Sequence, residues 1–296
     1  MIHYEQCPVC GGTLFHPFLK AKDHTVSKEE FQLVQCDQCQ FVFTQDVPDE
    51  LSIGPYYQSQ NYISHSNTQT GLINKMYHRV RTITLRSKRN LVEKESRIKK
   101  GTLLDIGSGT GAFLNEMQSA GWKTTGLEPD AGARKNAEEL YGIHALPSHE
   151  LFSVIPQSVD VITMWHVLEH VHALDKYLDQ ISKVIRPGGT IFIAVPNHTS
   201  VDAEKYKNNW AAYDVPRHLY HFSPASMRRL MENHGLKVTK VKPMWFDSFY
   251  VSMLSEQYKN GKGNLISAFF NGFSSNAKAL FNKERCSSVI YVIKKA

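Results

Sequence analysis

The sequence predicts an α/β fold, a mostly parallel sheet with helices on both faces, behind a small N-terminal cysteine module. Three observations predict it. Strand and helix patterns alternate from residue 102 onward, the order that builds parallel strands with crossover helices. The first of these strands, Leu103-Leu104-Asp105-Ile106, runs into the glycine turn Gly107-Ser108-Gly109-Thr110-Gly111, and a helix opens at Ala112. Four of the 5 cysteines fall in two Cys-x-x-Cys pairs before residue 40.

Cys7-x-x-Cys10 and Cys36-x-x-Cys39 are separated by a 25-residue insert. Each pair suits a tight knuckle, and two knuckles make a tetrahedral thiolate site for structural Zn²⁺. Disulfides are the rival reading and are disfavoured where no export signal is seen. Gly11-Gly12 reads as a turn and Phe41-Val42-Phe43 as a strand of a zinc-ribbon-like module over residues 1–48. That stretch is too short for a sizeable core, so metal binding would supply much of its folding energy.

Residues 49–100 read as a linker and a basic helix. The linker is the tyrosine-rich Gly54-Pro55-Tyr56-Tyr57-Gln58-Ser59-Gln60-Asn61-Tyr62. Between Lys75 and Lys100 lie ten Lys/Arg against Glu93 and Glu95, so this segment exceeds the whole chain's net charge of +6. Leu72, Met76, Val80 and Ile83 recur at helical spacing, which makes the basic residues a solvated face. Phosphate binding is the alternative use of such a cluster.

Residues 101–296 carry the sheet. Strands are expected at Thr102–Ile106, Thr124–Leu127, near Ile143, at Val159–Met164, Thr190–Val195, near Val238 and at Ser287–Ile293. Helices are expected at Ala112–Ala120, Ala131–Tyr141 and Ala173–Ile185, with Arg186-Pro187-Gly188-Gly189 as a turn. Ser223-Pro224 caps a further helix through Asn233, and a helical insertion spans about 247–282. Cys286 reads as a buried bystander. The N-terminus has no signal-peptide pattern, and no apolar run approaches the ~20 residues of a membrane span, so the expected location is the cytoplasm, off the membrane.

A carboxylate inside the glycine turn decides between two cofactors. Gly107, Gly109 and Ala112 also satisfy the dinucleotide fingerprint, but Asp105 would repel a pyrophosphate and suits a cation. Glu128, in Gly126-Leu127-Glu128-Pro129-Asp130, closes the next strand where a ribose diol would meet it. This block resembles class I S-adenosylmethionine-dependent methyltransferases. The resemblance implies a Rossmann-like seven-stranded sheet and a cofactor held by Asp105, Gly107, Ser108, Gly109, Gly111, Glu128, Pro129, Trp165 and His166. Asp160–Val171 looks like the family's fourth-strand block, and Arg186-Pro187-Gly188-Gly189 like the turn before its fifth strand. Pro147-Ser148-His149-Glu150 stands where the family carries an adenine-side acid. A four-cysteine module before such a domain resembles the C-methyltransferases of nucleotide-linked deoxysugars, whose longer C-terminal portion is not seen here.

Methyl transfer needs alignment, and a base where the nucleophile holds a proton. The position used for adenine amino methylation reads Trp165-His166-Val167-Leu168, with neither the Asn-Pro-Pro-Tyr block of that subclass nor a cysteine nucleophile. The candidate bases are His166, at the sheet edge, and His218 and His221, in Tyr213–Ser223. His166-x-x-Glu169-His170 also fits a metalloprotease pattern, set aside because it follows a parallel strand. The expected activity is methylation of a small-molecule O- or C-nucleophile, a sugar nucleotide among the options. The alternatives are methylation of ribosomal RNA guanine, with the zinc module and basic helix holding RNA, and a non-catalytic cofactor-binding module. The sequence is silent on oligomeric state.

Overall fold

The N-terminal strands β1 (Phe15–Lys22), β2 (Glu30–Cys36) and β3 (Val42–Thr44) form an antiparallel meander, with Phe15 opposite Cys36 and Leu33 opposite Thr44. The computed structural model describes residues 1–58, 72–261 and 265–296, without the side chains of 72–80, 265–271 and 274. The expected linker residues 59–62 and the side chains of Leu72, Lys75, Met76, Arg79 and Val80 lie outside the described residues. Helix α1 (Leu72–Ser96) leads into the central sheet. Of its expected apolar stripe Ile83 is described and is 48% exposed, whereas Val92 is fully buried and Leu85 packs on the core. The inward face is thus rotated from the one expected.

Strands β4 (Thr102–Ile106), β5 (Lys123–Leu127), β6 (Val159–Trp165) and β7 (Ile185–Pro196) are parallel, in the order β5-β4-β6-β7. Ile106 lies opposite Leu127 and Met164, and Trp165 opposite Ala194, so the strands end together at one edge. The helices between them are α2 (Ala112–Ser119), α3 (Ala131–Tyr141) and α4 (Leu174–Val184). After α5 (Val201–Tyr206) come the short β8 (Tyr220–His221), α6 (Pro224–Asn233, capped by Ser223) and β9 (Leu236–Pro243). Helices α7 (Asp247–Asn260) and α8 (Leu265–Phe281) form the expected insertion, and β10 (Ser288–Lys295) runs antiparallel between β7 and β9.

The sheet alternates as a two-sided core must. Ile191 and Ile193 of β7 pack with Leu178 and Ile181 of α4 and Leu230 of α6. Phe192 and Ala194 face the other way, against Val92 of α1 and Phe113 and Leu114 of α2.

Three details depart from expectation. The strand near Ile143 is reduced to one parallel bridge, Leu127 to Leu146, so the described sheet has six strands with that bridge in the seventh position. The segment is pinned between the left-handed cap Gly142 and Pro147, which has no N–H for a ladder. The turn expected at Arg186–Gly189 is absorbed into β7 as an irregularity, with the pairing shifting register between Val159 and Val161. Finally, β8 pairs with β3, Val42 opposite His221 and Phe43 opposite Tyr220, giving the sheet order β1-β2-β3-β8. The sheet therefore crosses the boundary drawn at residue 48, because β3's outer edge offers backbone groups that need partners. Among the described residues no helix is long and apolar enough to cross a membrane.

Candidate active site

The glycine turn stands at the carboxyl edge of β4. Gly107, Gly109 and Gly111 have φ of 74, 53 and 77°, a region that side chains disfavour. A Cβ on Gly107 would lie 2.3 Å from Val167 Cγ2, whereas one on Gly109 would meet nothing within 4 Å. Gly107 is thus a packing glycine, and Gly109 faces open space. The N–H groups of Gly107 and Ser108 donate to the Leu127 carbonyl at 2.7 and 3.0 Å, tying the turn to β5.

Glu128 is aimed by this turn. Its carboxylate accepts the Gly109 N–H at 2.8 Å and the Asp130 N–H at 3.0 Å, one on each oxygen, leaving a further acceptor site on each. Pro129 and Glu128 offer their carbonyls to Arg134 Nη1, both at 2.7 Å. Ser108 Oγ and Trp165 Nε1 are buried without a hydrogen-bond partner. Asp105 lies beneath, 1% exposed, accepting the Thr163 hydroxyl at 2.5 Å. Burial pushes its carboxyl up to about 7, against that hydrogen bond and the charge of Lys88. An acid turn with orphaned polar atoms beside it fits a cationic, diol-bearing ligand.

His166 follows β6 with a φ of 60°. Its Nε2 lies 2.7 Å from Asp247 Oδ2, at the start of α7, and its Nδ1 3.4 Å from Glu169 Oε1. Burial alone would lower its pKa, but the two carboxylates outweigh that and hold it at about 10. His166 is therefore an imidazolium at neutral pH, with no lone pair to accept a proton.

His218 meets two residues that the sequence reading left unassigned. His218 Nδ1 donates to the Ala212 carbonyl at 2.8 Å, and His170 Nδ1 to the Arg217 carbonyl at 3.0 Å. A carbonyl only accepts, so each of these Nδ1 atoms carries a proton; His170 Nδ1 also lies 3.1 Å from the Tyr57 hydroxyl, and His218 Nε2 lies 4.0 Å from Asp214 Oδ2. The two rings pack edge to face at 4.6 Å. Burial lowers the His170 pKa to about 4, keeping that ring neutral. Glu169 is fully buried and faces His166 Nδ1 through Oε1 at 3.4 Å. Ligand atoms of Glu169, His170 and His218 lie within 4.8 Å of one another, a spacing open to a shared proton or to a cation.

His221 does not join this cluster. It is buried in the N-terminal sheet, its Nε2 2.9 Å from Thr44 Oγ1 and its ring edge-on to Tyr213. The Thr44 hydroxyl already donates to the His218 carbonyl, so His221 Nε2 must be the donor to it. The pairing of β8 with β3 turns the His221 side chain into the module's core. His170 belongs to the pattern His166-x-x-Glu169-His170 inside the fourth-strand block, and that pattern does not by itself single it out as a proton acceptor. The approach of His170 to His218 depends on the fold and has no local signal.

The four cysteines converge. Cys7 and Cys39 sulfurs are 3.4 Å apart, Cys10 and Cys36 3.5 Å, and all four lie within 4.8 Å. A tetrahedral site with Zn–S of about 2.3 Å needs sulfur separations of about 3.8 Å, which this cluster fits.

A family profile described as a methyltransferase domain matches residues 76–241, more than half of the chain. The chain belongs to this methyltransferase family. It is a class I enzyme that uses S-adenosylmethionine, and its sheet order is that of the class. The methyltransferase is 29% identical over 174 residues to a ubiquinone biosynthesis O-methyltransferase of Aeromonas salmonicida, covering 54% of this chain and 71% of the relative. Among solved structures, it resembles an S-adenosylmethionine-dependent methyltransferase from Archaeoglobus fulgidus at 21% identity and a TM-score of 0.46, covering 74% of this chain and 100% of that one. It also resembles Haemonchus contortus phosphoethanolamine N-methyltransferase 2 at 17% identity and a TM-score of 0.49, covering 71% of this chain but only 52% of that one. The methyltransferase thus spans about half the length of the Haemonchus protein.

Proposed function

We propose that this methyltransferase methylates an oxygen or carbon nucleophile of a small molecule, with His218 and His170 taking the nucleophile's proton. The observation that carries the reading is the pair of imidazoles, each anchored through Nδ1 to a backbone carbonyl and packed edge to face beside the buried carboxylate of Glu169. Bound S-adenosylmethionine supplies a methyl group activated by positive sulfur. Asp105, Gly107, Ser108, Gly109, Gly111, Glu128, Pro129 and Trp165 would line its site, Glu128 offering its spare acceptor positions to the ribose diol. His218 Nε2 would accept the acceptor's proton, and Glu169 would stabilise the imidazolium that forms. His166, already protonated between Asp247 and Glu169, would position rather than catalyse. The relative named for O-methylation favours an oxygen acceptor. A sugar nucleotide falls within the same class.

The RNA reading draws on the basic helix, and several of its charges are engaged elsewhere. Arg89 pairs with Glu116 at 3.0 Å, Arg81 Nη2 lies 3.4 Å from Thr110 Oγ1, and Lys88 sits over Trp165. That leaves a smaller cationic face than the sequence count suggests, which favours the small molecule. We further propose one structural Zn²⁺ on Cys7, Cys10, Cys36 and Cys39.

The test is methyl transfer from labelled S-adenosylmethionine to two cell fractions, deproteinised small molecules and purified ribosomal RNA. The reading expects label in the small-molecule fraction. Label confined to RNA overturns it, and no transfer to either fraction favours a non-catalytic module.

A further inference from the structure

The basic helix α1 reaches the cofactor site through Lys88. Its ammonium lies 4.5 Å from the centroid of the Trp165 ring, the face of an indole being the best aromatic partner for a cation. Asp247 and Asp105 both favour its charge, although burial lowers its pKa. Both carboxylates are in turn stabilised by Lys88. Asp105 comes from the end of β4, Trp165 from the end of β6 and Asp247 from the start of α7, so three separate elements meet around Lys88. Arg81 at Thr110 and Arg89 at Glu116 hold α1 alongside the glycine turn and α2, setting Lys88 at that site.

We propose that Lys88 and the positively charged end of S-adenosylmethionine occupy this one site in turn, Lys88 leaving when the cofactor enters. The inference rests on the reading that Asp105 and Trp165 face the cofactor. Asp247 already pairs with His166 at 2.7 Å, so Asp105 and the Trp165 face are left for one further cation, and two positive charges there would repel strongly where water is scarce. Lysine suits a placeholder's role: its charge is compact and its four-carbon stem flexible. The helix that sequence alone read as a solvated face becomes a gate that competes with cofactor charge. S-adenosylhomocysteine lacks the sulfonium charge, so Lys88 should penalise it less than S-adenosylmethionine.

The experiment is calorimetric binding of both compounds to the full chain and to Lys88→Met, Lys88→Arg and Glu128→Ala. Lys88→Met should tighten S-adenosylmethionine at least tenfold and S-adenosylhomocysteine threefold or less, while Lys88→Arg keeps the wild-type ratio. Weaker binding of both compounds to Lys88→Met, or an unchanged ratio, overturns the proposal. Glu128→Ala is the control for the site: if it binds as tightly as wild type, the cofactor reading itself fails. Amine-reactive labelling of wild-type Lys88 needs no variant. Addition of S-adenosylmethionine should raise Lys88 labelling, and protection of Lys88 would contradict the exchange.

Discussion

Thr44 Oγ1 lies 2.9 Å from both the His218 carbonyl and His221 Nε2, so one hydroxyl of the cysteine module braces the loop that carries the candidate base. The same loop is held by the β3–β8 pairing and by Arg217, which reaches Asp23 at 3.1 Å and the Tyr56 carbonyl at 2.8 Å. The module and the segment 214–223 therefore brace each other.

That bracing gives the zinc proposal a consequence away from the metal. Purified protein should carry about one Zn²⁺ per chain, the capacity of a four-thiolate site. Cys36→Ser, or chelation, should raise hydrogen exchange both in residues 1–48 and in residues 214–223. Cofactor binding at the Gly109 side should persist. Unchanged exchange in 214–223 after metal loss would show that the two parts are independent.

Arg217 should be costly to remove. Its side chain is fully buried and paired with Asp214 at 2.6 Å and with Asp23. Breaking such a buried pair leaves a carboxylate uncompensated, at a cost of about 3–5 kcal/mol. Denaturant unfolding of Arg217→Met checks this; a loss below about 1 kcal/mol, the scale of an exposed pair, would contradict the network.

His166 predicts a pH signature. Its folded pKa of about 10 is above the ordinary histidine value, so its ion pairs stabilise the fold fully below about pH 6.5 and lose that contribution as pH rises through 10. The melting-temperature gap between wild type and His166→Asn should be widest near pH 6 and narrow toward pH 10. Asparagine tolerates the positive φ, which keeps backbone strain out of the comparison. A gap that widens with pH would reverse the assignment.

Glu128 should carry cofactor affinity. At 100-fold excess over Kd, S-adenosylmethionine should stabilise the wild type by about 2.7 kcal/mol. Thermal shift of Glu128→Ala should lose most of that, and a full shift would move the ribose site elsewhere.

The cofactor side of this site was legible because it is local. Asp105, Gly107, Gly109 and Glu128 belong to two adjacent strand ends, and the chemistry of a carboxylate beside open glycine backbone can be read in a line. The cysteine pairs were legible for the same reason. The proton-handling side was not. His170 bonds to the carbonyl of Arg217, 47 residues on, and Thr44 to His221, 177 residues on; neither contact leaves a spacing pattern. Burial then decides what each histidine can do. His166 lies between two carboxylates and is charged, His170 is buried and neutral, and His221 is spent on Thr44 in the N-terminal sheet.

The central claim is that His218 accepts a proton from a small-molecule nucleophile, and the most direct measurement is the rate of labelled methyl transfer into the small-molecule fraction by His218→Ala at saturating S-adenosylmethionine. The account predicts a rate lower by 10²–10⁴-fold, the typical contribution of a general base, with cofactor Kd within about threefold of wild type, less than 1 kcal/mol. Transfer at the wild-type rate, or a loss matched by equal weakening of cofactor binding, would contradict it.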